Sequence, residues 1–274
     1  MGFQKGTSGD DWLWGSPYAD TILGLYGHDK IKGNGGDDSI FGDAGNDWLD
    51  GGEGSDLLNG GAGADELLGG SGFDYASYTG SVGVAVSLAG NVGYYGDAQG
   101  DTFSSIEGIW GSWYSDILIG DDNDNALVGH GGDDILWGVG GHDTINGGDG
   151  HDWLYGGMSS DRLTGGSGAD TFWWSDPAEC SGASGKMDAI IDFNRAEGDL
   201  IQLANIDADT VFAGDQAFTF IGTAAFSGIG QVRYYHDNGN TFIEMQTSIP
   251  YDSDPEGVFA LVGIHTPDAS WFVL

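Results

Sequence analysis

Between Gly6 and Ser77, and again between Gly111 and Trp173, a carboxylate returns every nine residues beside glycine, as in the stretch GGDDSIFGDAGNDWLDGGEGSDLLNGG from Gly35 to Gly61. Set out in rows of nine, the two blocks give fifteen rows: glycine is first in all of them, the sixth residue is Asp in fourteen, with Asn125 the exception, and the eighth is Leu, Ile or Phe except at Ala76. Carboxylates spaced this regularly among tight turns are hard oxygen donors, and the chemistry they suit is cation binding. The chain as a whole agrees, with 43 acids against 7 bases and a formal charge of −36. Such a charge repels nucleic acid and anionic membrane surfaces unless cations intervene.

The elements that position these groups follow from the same rows. The 53 glycines and 5 prolines point to many tight turns rather than a stiff extended linker, and 39 % hydrophobic residues are enough to bury a core. A single cysteine, Cys180, excludes a disulfide framework and a thiolate zinc cluster, so a metal is the obvious source of extra stability. No apolar run nears the roughly 20 residues of a membrane-spanning helix. The opening MGFQKGTSGDD lacks the apolar stretch of a Sec signal peptide.

The rows resemble the repeats-in-toxin (RTX) nonapeptide Gly-Gly-x-Gly-x-Asp-x-apolar-x over 135 of the 274 residues. The resemblance implies an all-β fold: a parallel β-roll solenoid in which two rows make one coil, the first six residues of a row forming a turn and the last three a strand with the eighth side chain inward. With coils about 4.8 Å apart, residue i lies under residue i+18. Asp11, Asp29, Asp47 and Asp65 then line one edge, and Asp20, Asp38, Asp56 and Asp74 the other. Like charges at that spacing repel by about 1 kcal/mol in water and roughly 4 kcal/mol at a dielectric near 20. A bound cation reverses the sign. Ca²⁺ is favoured over Mg²⁺ because it accepts six to eight oxygens in flexible geometry.

Following the family's pattern, each ion would sit between row n and row n+2, taking main-chain carbonyls at positions two and four of one row, one and three of the other, and both aspartates. Asn34, Gly36 and Asp38 would thus face Gly51, Glu53 and Asp56. The remaining implied ligands are the sixth-position Asp116, Asp134, Asp143, Asp152, Asp161 and Asp170; first-position Gly60, Gly69, Gly147, Gly156 and Gly165; and second-position Asp43, Gly52, His130 and Gly148. Third-position Ala62, Ser71, Asp149 and Ser167 and fourth-position Gly45, Gly54, Gly132, Gly141 and Gly150 complete them. Eight rows allow six such sites and seven allow five, a ceiling of about 11 ions. Pro17, Tyr18, Tyr114, Asn123, Ser159 and Asn125 depart from the pattern and lower it.

The chain divides into a first RTX block, 1–77, enlarged coils at 78–110, a second RTX block, 111–173, and a C-terminal region, 174–274. In the break, Val84, Val86 and Leu88 alternate as in a strand, and Ile106 and Ile109 supply a further apolar edge. Beyond Trp174, MDAIIDFNRAEGDLIQL, FTFIGTAAFSGIGQVRYYHDNGNTFIEM and VFALVGIHTPDASWFVL read as strands and hairpins. This region is similar to the β-rich domain that caps the roll in serralysin-type secreted proteases. That likeness implies export by a type I secretion apparatus, which reads an uncleaved C-terminus. Trp271 stands where that family usually has an Asp, and Asp268 lies three residues earlier.

Catalytic motifs are missing: there is no His-Glu-x-x-His, no Gly-x-Ser-x-Gly, and no recognisable partner for Cys180. His28, His142 and His151 fall at position five of a turn and read as solvated side chains. Ile119, Trp137, Tyr155 and Trp173 occupy position nine on one face, an outward aromatic row that sugar rings, another protein or the chain's own C-terminal region could cover. The expectation is a secreted, extracellular, monomeric, non-enzymatic calcium protein that folds on metal and binds or adheres to a polysaccharide or a cell-surface protein. The alternative is a carbohydrate-binding accessory module, or the non-catalytic part of a secreted hydrolase or epimerase.

Overall fold

The computed structural model describes residues 2–180, 187–208, 216–247 and 255–274. Parts of the C-terminal region named above, residues 181–186, 209–215 and 248–254, lie outside the described residues. All described regular structure is β apart from three short 3-10 turns, and parallel pairing at a register of eighteen dominates it, as expected of a β-roll. The chain separates into two compact units, residues 1–121 with 125–135, and residues 122–124 with 136–274.

In the first unit, one sheet runs through Gly2–Lys5, Asp20–Tyr26, Ser39–Ala44, Leu57–Asn59, Tyr75–Ser77, Gly108–Trp110 and Ala126–Gly131. A second contains Trp12–Trp14, Lys30–Gly35, Trp48–Glu53, Glu66–Ser71 and Thr102–Ser104. Several strands are longer than the three residues expected, among them Asp20–Tyr26 and Ser39–Ala44. Thr21 to Leu23 pair with Ser39 to Phe41, the ladder skips Gly24 and Gly42, and pairing resumes at Leu25 with Asp43 and Tyr26 with Ala44. In these longer strands the first-position glycine is a bend inside the strand rather than its end. Eighth-position side chains fill the interior: Ile22, Ile31, Ile40, Leu49, Leu58 and Leu67 are all fully buried. Their neighbours on either side alternate outward, as the pleat requires.

The segment between the blocks interrupts one sheet and not the other. Gly108–Trp110 inserts between Tyr75–Ser77 and Ala126–Gly131, so the first sheet continues. The second ends where Thr102–Ser104 pairs with Glu66–Leu68, and a separate ladder begins with the hairpin Ala85–Ser87 and Val92–Tyr94 beside Ile117–Ile119.

In the second unit, Thr144–Asp149 pairs with Arg162–Ser167, and Trp153–Met158 with Thr171–Trp173. Both ladders pass into the C-terminal region without a change of direction. Ala189–Ile190 adds to Arg162–Leu163 and then to Ala260–Leu261. Leu200–Gln202 adds to Thr171–Trp173, and the last strand, Phe272–Val273, adds to Ile201–Gln202. Beyond Gly257–Leu261 the pairing turns antiparallel through Asn240–Gln246 and Gln231–Asp237.

Candidate metal centres

The sixth-position aspartates form the expected ladders, joined by their own backbone. The N–H of Asp11 donates to Asp29 Oδ1 at 2.8 Å, Asp29 to Asp47 at 2.7 Å, and Asp47 to Asp65 at 2.8 Å. On the other edge Asp20 donates to Asp38, Asp38 to Asp56 and Asp56 to Asp74, each at 2.8 Å. Asp116 to Asp134, Asp143 to Asp161 and Asp152 to Asp170 repeat the bond. Each carboxylate thus spends one oxygen on the row eighteen residues earlier.

The second oxygen separates the rows into two kinds. The Oδ2 atoms of Asp29, Asp38, Asp47, Asp56, Asp65, Asp74, Asp161 and Asp170 are buried and have no hydrogen-bond partner. A buried acceptor in that condition is costly, and a charged one more so. By contrast, Asp11 Oδ2 accepts from Thr7 N–H at 2.6 Å, Asp20 Oδ2 from Ser16 N–H at 2.6 Å, Asp116 Oδ2 from Ser112 N–H at 2.5 Å, and Asn125 Oδ1 from Asp121 N–H at 2.7 Å.

Backbone conformation at the second position tracks this division. Thr7, Ser16, Ser112 and Asp121 keep negative φ and aim the N–H at the carboxylate or amide. In every other row the second residue is left-handed, including Leu25, Asn34, Asp43, His130 and Val139 as well as glycines such as Gly52 and Gly148. The fourth position of those rows is left-handed too, at Gly36, Gly45, Gly54, Gly132, Gly141 and Gly150, and at Ser159 with φ 95°. Two left-handed residues swing the N–H away and keep the turn open. Ser159, named above as a departure, adopts the same conformation as the glycines it replaces.

The open turns gather oxygens. A methyl group added at Gly33 would fall under 3.0 Å from both Asp38 Oδ2 and the Gly51 carbonyl oxygen, and one at Gly51 equally close to Asp56 Oδ2 and the Gly69 carbonyl. Gly42 stands likewise between Asp47 and Gly60, Gly138 between Asp143 and Gly156, and Gly147 between Asp152 and Gly165. First-position glycine is therefore required by space, since its φ is not left-handed. The carbonyls of Asn34 and Gly36 lie against Gly52 and Gly54, and Gly35 pairs with Glu53. Further carbonyls abut in the same way: Asp43 against Gly61, Gly52 against Gly70, Gly148 against Gly166, and Gly150 against Gly168. Third-position residues also pair across rows, Asp149 with Ser167, Glu53 with Ser71 and Ala44 with Ala62. A buried carboxylate oxygen lacking a partner, facing carbonyls across a gap that a methyl group would fill, suits a hard cation.

Electrostatics agrees. Burial pushes Asp38, Asp47, Asp74 and Asp161 up to about 6, Asp170 to about 7 and Asp65 to about 8. Asp20, held by the Ser16 N–H, instead lies below the usual carboxylate value.

Four acids outside the rows of nine complete the ladders. Asp65 N–H donates to Asp101 Oδ1, Asp74 to Glu107 Oε2, Asp161 to Asp188 Oδ1 and Asp170 to Asp199 Oδ1. Three of them have their other oxygen satisfied by protein: Asp101 by Tyr78 Oη–H at 2.8 Å, Asp188 by Trp174 Nε1–H at 2.7 Å, and Asp199 by Asn194 N–H at 2.7 Å. DTFS, DAII and DLIQ each keep the Asp-x-apolar-x end of a row, which is the signal that finds Asp101, Asp188 and Asp199. Glu107 carries a similar Glu-Gly-Ile-Trp. A second ladder was also hidden in the turns. Fifth-position side chains accept N–H bonds from the row eighteen later: Asp10 from His28, Asp37 from Ser55, Asp124 from His142, His28 Nδ1 from Asn46 and His151 Nδ1 from Ala169. The exposed histidines are thus part of the turn scaffold.

Trp137, Tyr155 and Trp173 form a tilted triad with centroids 4.9–5.9 Å apart rather than a regular stack. Tyr155 Oη–H donates to Glu179 at 2.6 Å, which draws the Pro177–Cys180 turn against the ring. Cys180 is buried, and burial pushes its thiol well above the ordinary value.

Fold and site together define a parallel β-solenoid edged by carboxylate ladders. Residues 5–40, 14–49, 41–76, 110–145 and 137–172 match the RTX calcium-binding nonapeptide repeat (4 copies) family, and the two blocks are RTX repeats, a class that binds calcium. Among solved structures, the AlgE6R2 subunit of the Azotobacter vinelandii mannuronan C5-epimerase is 26 % identical, with a TM-score of 0.35 over 57 % of this chain and 91 % of that one. The AlgE6R3 subunit is 26 % identical, with a TM-score of 0.29 over 58 % of this chain and 78 % of that one. The extracellular lipase LipA from Serratia marcescens is 19 % identical, with a TM-score of 0.39, and this chain spans 40 % of its length. No curated protein sequence matches the chain. Among the described residues, no helix is long and apolar enough to cross a membrane.

Proposed function

We propose that this is a secreted protein whose β-roll folds on several calcium ions outside the cell and then acts as an extracellular binding or adhesion protein. The observation that carries the calcium reading is the buried, partnerless Oδ2 of Asp29, Asp38, Asp47 and Asp56, each of which shares the space beside a first-position glycine with a carbonyl of the row eighteen residues on. Asn34, Gly36 and Asp38 with Gly51, Glu53 and Asp56 would hold one ion, and the other open rows repeat the set. The bound ion supplies positive charge that offsets carboxylate repulsion.

Where calcium is scarce, the ladders repel and keep the chain open, a state suited to passage through a type I secretion apparatus. Outside, millimolar calcium exceeds the roughly 10⁻⁴–10⁻³ M dissociation constants of extracellular modules, so binding energy becomes folding energy. The serralysin-like C-terminal sequence supports that export route. A second reading, a carbohydrate-binding accessory module or part of a larger secreted hydrolase or epimerase, is favoured by the triad of Trp137, Tyr155 and Trp173, since Trp137 remains 36 % exposed.

Circular dichroism during a calcium titration, with Mg²⁺ as control, tests the switch. The expected result is a cooperative gain of β-structure with calcium alone. A chain equally folded in chelator would overturn it.

A further inference from the structure

The outward face of the second sheet of the first unit carries a feature that the calcium ladders do not use. Trp12, Lys30, Trp48 and Glu66 are successive rungs at position seven, and Trp14, Lys32, Asp50 and Leu68 at position nine. The first three rungs enclose a groove of about 230 Å³ lined by Trp12, Leu13, Trp14, Lys30, Lys32 and Trp48. Trp12 is 62 % and Trp14 53 % exposed, although a solenoid of this kind asks of positions seven and nine only that they be solvated. The two indoles stand 5.6 Å apart at 45°, an angled platform rather than a closed stack.

The lysines give the platform its character. Two of the chain's seven basic residues sit side by side here, against a formal charge of −36. Lys30 Nζ lies 5.0 Å from the centre of the Trp12 ring, and Lys32 pairs with Asp50. A cation held over an exposed indole keeps N–H donors for a third group. Position seven thus reads aromatic, cation, aromatic across three rungs. Indole faces pack against the C–H faces of pyranose rings, an ammonium between them pairs with a carboxylate, and the Asp50 carboxylate accepts from hydroxyls.

We infer that the groove of Trp12, Trp14, Lys30, Lys32 and Trp48 is a binding site for a carboxylated sugar, a uronate residue of an acidic polysaccharide. A neutral glycan would leave the lysines without a role in recognition, and an acidic peptide would leave the indole platform without its C–H partner. The shallow groove suits one or two sugar units of a chain crossing the strands, rather than an enclosed small molecule. The inference rests on the calcium-folded roll, and the folding is read separately.

Isothermal titration of the intact chain in calcium with a short oligogalacturonate, beside the methyl ester of the same oligosaccharide and a short oligoglutamate, tests it. The expected result is binding of the uronate, with affinity falling about tenfold or more, ~1.4 kcal/mol, for the ester and for Trp14→Ala or Lys30→Met, while Lys30→Arg retains it. Unchanged circular dichroism in calcium for each variant separates this outcome from loss of the fold. Equal affinity for the ester, equal affinity for oligoglutamate, no binding of the uronate by a calcium-folded chain, or loss only with Trp137→Ala would each overturn the assignment.

Discussion

Asp20 and Asp38 stand on adjacent rungs, joined by the Asp20 N–H and Asp38 Oδ1 at 2.8 Å, yet they end differently: Asp20 Oδ2 takes the Ser16 N–H at 2.6 Å, while Asp38 Oδ2 is buried with no partner. One ladder therefore contains carboxylates that protein satisfies and carboxylates that it does not. The distinction lies in the turn. Ser16 has negative φ, whereas Asn34 and Gly36 are left-handed at 77° and 91°.

Asp38→Asn is expected to remove at least one ion from the calcium stoichiometry and to raise the calcium midpoint for folding. Asp20→Asn keeps an acceptor for Ser16 and is expected to leave the stoichiometry unchanged. Titration calorimetry of the two variants beside the parent decides the point, and equal ion counts for both would contradict the division into open and closed rows.

Gly33→Ala places a methyl group among Asp38 Oδ2 and the Gly51 carbonyl, whereas Gly9→Ala meets nothing within 4 Å. The first is expected to raise the calcium needed for half-folding about tenfold, ~1.4 kcal/mol, or more. The second is expected to be neutral within about 0.5 kcal/mol. Denaturant midpoints in saturating calcium would expose any similarity between the two.

Val139 holds a β-branched side chain at φ 83°. Left-handed backbone at a residue other than glycine costs about 1–3 kcal/mol. Val139→Gly is expected to recover part of this after glycine's own entropy cost, raising the thermal midpoint in calcium. A lowered midpoint would mean that the valine side chain contributes more by packing than its backbone loses.

Acidity acts on the same oxygens. Burial raises Asp65 to about 8 and Asp38, Asp47 and Asp74 to about 6 from a reference of 3.8, so the folded chain binds protons that the unfolded chain releases. That contribution favours the metal-free fold below about pH 4 and is lost as pH rises through about 6 to 8. Metal-free protein should gain β-structure on acidification from about pH 8 to about pH 5. The calcium midpoint should meanwhile rise, because protons compete for Oδ2. Invariant dichroism in chelator across that range would refute the linkage.

Much of this was legible in the rows of nine, because position eight, position six and glycine answer to a period that folding preserves. The aspartate ladders and the inward Ile and Leu follow from counting alone. Division of the rows into open and closed did not, since it depends on φ at positions two and four. Gly9 ends in a closed turn while Ser159 ends in an open one, against the preference of each residue. Asp101, Asp188 and Asp199 escaped because the loops before them break the period, although each keeps the last four letters of a row. The bond from Tyr78 to Asp101 spans 23 residues and that from Trp174 to Asp188 spans 14, separations that no nine-residue count reveals.

The backbone-to-carboxylate bonds between sixth-position residues all point the same way along the chain, each donor eighteen residues before its acceptor in the regular rows. A ladder built this way leaves an amide without a sixth-position acceptor at its late end. Cut after Asp170, the amides of Asp161 and Asp170 would lose Asp188 and Asp199. Asp188 and Asp199 therefore close the two ladders of the second unit, taking up the last amides that the rows of nine leave over.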